Sequence, residues 1–415
     1  MTTTNSVCAS APGKVILFGE HAVVFGEPAV AAALSDLRIT VKVTPTTTKQ
    51  VGIQMPDLPT PIDVTFSSKA LRLQSLHEPP TKYDAAALQK VLLAQMPTLD
   101  ELSVSALVPL IYLLNQLTPS HLDTGLVIQV RSQDLPVGAG LGSSAAFGVA
   151  CSAALLRLSL SSPPLGKPTN EQLEIINTYS FYSEILLHGT PSGIDNAVST
   201  FGGAIDYTKK DGNTTMEKFD MPHLEMILAN THVPRSTKLL VAGVRKLYVQ
   251  HPNVVGSILS CMGNIAGDFR RMDSFHGSDE LLTLVRTNQH MLCAVGVSHP
   301  SLNRICEIVD RVSGGAAAAK LTGAGGGGCA MIVLQPGQSS QETSRKIQHA
   351  LENKRHPWKY RCLKSSVGQD GVLWVDPDTF PEMSPDKRTS VSTETMLACA
   401  AAGISLMLMA MMRKR

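Results

Sequence analysis

A chain of 415 residues is long enough for two or three domains, and 43% hydrophobic with 17% charged residues suits ordinary globular cores. Lys and Arg number 36 against 34 Asp and Glu, a net charge of +2 without a long basic run, which argues against a nucleic-acid surface and for small-molecule partners. The eight cysteines include no Cys-x-x-Cys pair, which argues against a zinc site and a disulfide framework and fits reduced thiols in the cytoplasm, and the first residues lack the pattern of a cleaved secretion signal.

Residues 7–17 predict two short strands broken by Ala11-Pro12-Gly13, followed by a tight polar turn, Phe18-Gly19-Glu20-His21. Lys14, Glu20 and His21 taken singly are what any surface turn carries. Residues 38–44 alternate, with Ile39, Val41 and Val43 on one face, and predict a strand. From 45 to 80 the Thr- and Pro-rich sequence predicts loops with one short strand near 51–54. Helical patterns cover 85–95 and 102–117, and a half-buried strand covers 126–131.

The loop after that strand, Asp134-Leu-Pro-Val-Gly-Ala-Gly-Leu-Gly-Ser-Ser-Ala-Ala-Phe147, opens an Ala- and Leu-rich helix at 145–160. Gly138, Gly140 and Gly142 permit backbone shapes and close approaches that a Cβ would block. The first-turn N–H groups around Gly142, Ser143 and Ser144 lack intrahelical partners and sit at the positive end of the helix dipole, so a polyphosphate can dock there. The same pattern also suits a plain helix start with Ser143 or Ser144 as N-cap. Spacing excludes two familiar nucleotide motifs: no Gly-x-x-x-x-Gly-Lys-Ser/Thr occurs, and the three glycines fall one residue short of the dinucleotide fingerprint.

A helix at 171–187 leads into His188-Gly-Thr-Pro-Ser-Gly-Ile-Asp195-Asn196. Glu184 stands on its last turns, where a carboxylate opposes the dipole, which suits retention for a ligand such as Mg²⁺. Asp195 comes after a loop able to fold back, so both carboxylates can enter one site; a solvent-facing Glu and a turn Asp are the alternative. A strand-like piece ends at 207, 208–215 is polar and turn-rich, and 224–229 predicts a strand opening the second half. Val233-Pro-Arg-Ser-Thr-Lys238 is a basic, hydroxyl-bearing turn before helices at about 254–273, 278–296 and 301–313. Gly323, Gly325 and Gly328 match Gly-x-Gly-x-x-Gly, yet they open onto the apolar run 329–334, a strand where that fingerprint requires a helix. A helix around 350 and strands at 360–363 and 372–375 close the pattern.

Residues 396–412, Met-Leu-Ala-Cys-Ala-Ala-Ala-Gly-Ile-Ser-Leu-Met-Leu-Met-Ala-Met-Met, carry no charge, are apolar all round and end in Arg413-Lys414-Arg415. A helix of that length reaches roughly 25 Å against a hydrocarbon core of about 30 Å. A C-terminal membrane anchor and a helix packed on the rest of the chain or a partner both satisfy it.

Three glycine-centred segments stand in order: Ala11-Pro-Gly-Lys-Val-Ile-Leu-Phe-Gly-Glu-His21, Leu135-Pro-Val-Gly-Ala-Gly-Leu-Gly-Ser-Ser-Ala145 and Lys320-Leu-Thr-Gly-Ala-Gly-Gly-Gly-Gly-Cys329. Together they resemble the three motifs of the GHMP small-molecule kinases, a likeness that spans about 7–375 and is poorest at 45–80. The segments 188–196, 234–238 and 288–296 are similar to those of the branch acting on mevalonate. The resemblance implies an α+β, two-domain GHMP kinase fold. A domain like ribosomal protein S5 domain 2 would occupy 1–225 and a ferredoxin-like domain 226–379, with 380–415 a polar linker and apolar tail. It implies ATP-dependent phosphorylation of the 5-hydroxyl of mevalonate in isoprenoid and sterol precursor synthesis, by a cytoplasmic homodimer. By likeness Gly138, Ala139, Gly140, Leu141, Gly142, Ser143 and Ser144 wrap the ATP phosphates, and Ser144 and Glu184 hold Mg²⁺. Asp195 takes the hydroxyl proton beside Lys14, which also faces the γ-phosphate. Glu20, His21 and Thr237 belong to the substrate pocket, with Arg235 and Ser236 nearby.

Overall fold

The structure is a computed structural model that describes residues 6–73, 76–160, 164–210, 213–272, 279–335, 340–353 and 357–382. The apolar run at 396–412 lies outside the described residues, and among those residues no helix is long and apolar enough to cross a membrane.

The first strand, β1 (Val7–Phe18), is continuous where the sequence predicts two pieces. Its partner β2 (Ala29–Pro45) shifts register between Pro12 and Lys14, and this irregularity admits a proline into a strand that otherwise pairs along its length. Next come β3 (Gln50–Met55) and β4 (Ile62–Ser67), an antiparallel hairpin in the stretch expected to be loops with one strand. Val51, Ile53 and Met55 alternate inward, a pattern hidden in the sequence by its Thr- and Pro-rich flanks. After the short α1 (Ser68–Leu71), α2 (Lys82–Gln95) starts at a Thr81–Asp84 capping box, and α3 (Glu101–Leu117) at Asp100, whose side chain accepts from Ser103 N. Helix α3 then runs through the interior, with Leu107, Leu110, Ile111 and Leu114 fully buried.

Strand β5 (Leu126–Gln133) leads through the glycine loop into α4 (Ser143–Ser159), against which α5 (Asn170–His188) packs. The loop after α5 resolves into a further helix, α6 (Ile194–Phe201). A hairpin of β6 (Ala204–Lys210) and β7 (Asn213–Phe219) replaces the polar turn read at 208–215; nearly all of β7 is exposed, which is why it looks like loop sequence.

The second half runs β8 (Leu224–Asn230), α7 (Thr237–Gln250), α8 (Pro252–Arg270), α9 (Asp279–Ala294), α10 (Pro300–Ser313), β9 (Ala317–Leu321), β10 (Cys329–Leu334), α11 (Ser340–Leu351), β11 (Arg361–Val367) and β12 (Leu373–Val375). Strand β9, Ala-Ala-Ala-Lys-Leu, has no strand propensity and is not predicted; complete burial against β10, α9 and α10 makes it one.

The strands join in the order β4-β3-β5-β2-β11-β8-β10-β9, with β1, β12, β6 and β7 attached off this path. Leu34 of β2 pairs with Val367 of β11, so the sheet passes from one half of the chain to the other. Strand β12 returns to pair with β1, Cys8 opposite Val375. One core gathers β1, β2 and β5 with α3 and α4 through Leu17, Val41, Ile111 and Val149; another gathers β8–β10 with α8 and α10 through Ile227, Ile332, Leu259 and Ile305. The architecture is α+β. The three glycine-centred segments meet between the two cores.

Candidate active site

The loop at 138–144 is built from inside and outside. Ala139 and Leu141 turn their side chains into the core and anchor it, while Gly138, Gly140, Gly142, Ser143 and Ser144 border a cleft of about 420 Å³. Lys14 N donates to Leu141 O at 2.8 Å, which ties the loop to β1. Gly142 has φ +70, and a Cβ there would come within 2.8 Å of the Lys14 stem, so glycine is what lets the lysine pass. Gly142 is also the N-cap of α4, and no side chain caps it. Ser143 and Ser144 are therefore the first helical residues, not the cap, and the positive end of a seventeen-residue helix lies at the cleft.

Lys14 and Asp195 face the same cleft and form an ion pair, Nζ to Oδ1 at 3.2 Å, the lysine side chain 8% and the aspartate 33% exposed. Asp195 reaches this place because Gly193, at φ +84, turns the chain into α6 and leaves the carboxylate in its first turn. Ser199, one turn further along α6, donates to Pro12 O at 2.7 Å and fixes the helix to β1 beside Lys14.

Glu184 is 4% exposed and close to Ser144, which donates to it. Burial and then the nearby Asp195 charge push its carboxyl up to about 7. Its Oε1 is buried without a hydrogen-bond partner. An orphaned carboxylate oxygen beside a serine hydroxyl, next to a helix N-terminus fit for phosphate, matches the needs of Mg²⁺, which takes one or two protein ligands and completes its shell with water and phosphate oxygens. Among the described residues no cluster of three or more His, Cys, Asp or Glu side chains is suited to a metal.

His188, one turn beyond Glu184, was not singled out from the sequence. Its Nε2 lies 3.6 Å from Glu184 Oε2 and 3.4 Å from Ser144 Oγ. The signal available was the four-residue spacing, which puts both on one face of α5.

Glu20 borders the cleft, but its carboxylate is engaged elsewhere: Oε1 pairs with Lys320 and Oε2 accepts from Asn288 at 3.1 Å, both ion-pair side chains being 0% exposed. His21 adopts φ +60, an uncommon left-handed conformation for a non-glycine residue, and its Nε2 lies 2.8 Å from Ala324 O. That bond makes Nε2 the protonated nitrogen, and burial keeps the imidazole below its ordinary pKa. Thr237 and Arg235 border the cleft from the other half, whereas Ser236 caps α7.

A smaller cavity of about 180 Å³ adjoins Ser143 and Ser144 and is walled by Ile39, Met55, Leu58, Val130, Phe147 and Leu187. Its size and apolar walls suit one flat heterocycle. No sequence pattern announced it, because its walls come from separate strands and helices.

The arrangement can hold an oxyanion at the loop and helix α4, set a carboxylate and an ammonium beside it, and bring a divalent cation between. Residues 106–203 match the family model for the GHMP kinases N terminal domain, and residues 270–355 that for the GHMP kinases C terminal. The chain is 37% identical over 389 residues to the mevalonate kinase of Homo sapiens, covering 88% of this chain and 93% of that one. It is 36% identical over 394 residues to the mevalonate kinase of Candida albicans, covering 87% and 88%. The crystal structure of L. major mevalonate kinase in complex with R-mevalonate aligns with a TM-score of 0.63 at 24% identity, over 87% of this chain and 96% of that one. On motifs, cleft and likeness together, the chain belongs to the GHMP kinases, within the mevalonate kinase family, and has their two-domain fold.

Proposed function

We propose that this cleft transfers the terminal phosphoryl group of ATP to the 5-hydroxyl of mevalonate, giving 5-phosphomevalonate. The observation that carries the reading is the Lys14–Asp195 pair at 3.2 Å, set in one cleft with the uncapped N-terminus of α4. Phosphoryl transfer to an alcohol passes through a loose transition state and needs positioning and charge neutralisation more than covalent chemistry. The loop at 138–144 and the first turn of α4 bind the phosphates through backbone N–H groups. The apolar cavity beyond Ser143 receives the base. Asp195 orients the hydroxyl and accepts its proton as the O–P bond forms, and Lys14 holds that carboxylate and donates to the moving phosphoryl group. Ser144 and Glu184 would hold Mg²⁺, which when bound neutralises phosphate charge. His21 and Thr237 shape the alcohol pocket; Glu20 acts on it through the turn it anchors.

Release of ADP by the full chain, measured with mevalonate, phosphomevalonate, galactose and homoserine as acceptors, tests the reading. Turnover with mevalonate foremost is expected; turnover with another alcohol and none with mevalonate refutes it. The proposal takes 1–225 and 226–379 as the two domains and a cytoplasmic homodimer as the working form, to be checked by sedimentation. For the run at 396–412, a reporter fused to residues 380–415 and found wholly soluble after carbonate extraction would dismiss a membrane anchor.

A further inference from the structure

Arg235, in the turn between β8 and α7, reaches across the cleft to the phosphate loop. Its Nη2 donates to Ala139 O at 3.1 Å, while Nη1 donates to Thr322 O at 3.3 Å and Gly327 O at 3.4 Å. Three glycines make its berth. A Cβ at Gly140 would overlap Nη2, one at Gly328 would stand 2.7 Å from Nη1, and one at Gly323 would stand 3.5 Å from Nη2. The glycines of two motifs thus leave room for one guanidinium.

All the protein acceptors of that guanidinium are carbonyl oxygens, and among the described residues no carboxylate forms an ion pair with it. A cation withdrawn from water without a counter-charge is unfavourable, so the berth suits an anion. The planar fork has five N–H groups, more than these three bonds use, and it matches the geometry of phosphate oxygens. It sits on the phosphate loop itself, at Ala139 and Gly140, and in the same cleft as Lys14 and Asp195.

We propose that Arg235 binds the transferring phosphoryl group of ATP, donating to it while still held by the Ala139 carbonyl, so that the second half of the chain contributes positive charge to the transition state. The inference rests on the kinase reading above. The alcohol carries an oxyanion too, its carboxylate, and the test separates the two sources.

The full chain is compared with Arg235→Gln and Arg235→Lys for melting temperature, affinity for ADP and for a non-hydrolysable ATP analogue, kcat, and KM for mevalonate. Arg235→Gln is expected to lower kcat about 10²- to 10³-fold, the usual loss on removing one preorganised donor to a developing charge. ADP affinity should stay within about threefold, affinity for the ATP analogue should fall, and free guanidinium should restore part of the rate. Arg235→Lys, which preserves charge and stem, should fold in any event and lose about tenfold in kcat, since a point charge cannot reproduce the fork. An unchanged kcat overturns the proposal. So does a rise confined to the KM for mevalonate, which assigns the guanidinium to the carboxylate, or an equal loss of ADP and ATP-analogue affinity with a fallen melting temperature, which makes it a structural staple. Absence of any turnover by the unmodified chain would instead defeat the kinase reading and is seen first.

Discussion

Replacing Lys320 by Met tests how the two halves are held at the cleft. Lys320 and Glu20 are fully enclosed, 300 residues apart in sequence, and the ammonium also donates to Leu321 O at 2.9 Å and lies 5.6 Å from the centre of the Phe18 ring. Without the lysine, Glu20 keeps one side-chain donor, Asn288. Methionine fills most of the volume, so the main loss is the isolation of a buried carboxylate, about 3–5 kcal/mol. Against a total stability of about 5–15 kcal/mol that is a severe change, and denaturant unfolding at pH 7 measures it directly. Adding Glu20→Gln removes the charge, and the double variant should recover most of the loss, a coupling that the double-mutant cycle reads directly. Burial already raises the Glu20 pKa and Lys320 opposes the rise. A carboxyl with a raised folded pKa contributes stability at low pH that is lost as pH rises, so the Lys320→Met deficit should be smaller at pH 5 than at pH 8. A deficit below about 1 kcal/mol that does not change with pH, or a double variant less stable than either single one, refutes the reasoning.

Asp195→Asn should fold, bind nucleotide and lose about 10²- to 10⁴-fold in kcat, and turnover near that of the parent chain would remove Asp195 from the proton transfer. Glu184→Gln should raise the Mg²⁺ concentration needed for half-maximal rate; an unmoved Mg²⁺ titration would leave Glu184 a structural residue. Asp84, which accepts from Thr81 N at 2.6 Å and Thr81 Oγ1 at 2.7 Å, is held down to about 2 despite its burial, chiefly by those bonds and the contacts with His77. Its depressed value stabilises the fold above the ordinary carboxylate pKa, an effect lost as pH falls through about 2. Asp84→Asn should cost about 2 kcal/mol at pH 7 and progressively less in acid, and a constant deficit from pH 7 to pH 2 in urea melts would contradict this.

The parts of this protein legible in its sequence are those whose physics is local. A glycine loop feeding a helix, a carboxylate against a helix C-terminus and a Pro-Ser-Gly turn before an aspartate each state their chemistry within a dozen residues. The long helices were readable for the same reason, since an apolar face repeats within a few turns. Other features depend on contacts the sequence does not display. Strand β9 exists because burial overrides its alanines, and β7 escaped notice because an exposed edge strand needs no apolar alternation. The prediction that Pro12 breaks β1 failed because a register shift against β2 accommodates it. Glu20 could be assigned to the cleft from its motif but not to the ion pair that occupies its carboxylate, whose partner lies 300 residues away. The glycine loop, the two carboxylates near one helix end and the family are written in the order of residues alone. Which glycines leave room for Arg235 and which for Lys14 is settled only in three dimensions, because what a missing Cβ makes space for is set by whatever the fold brings against it.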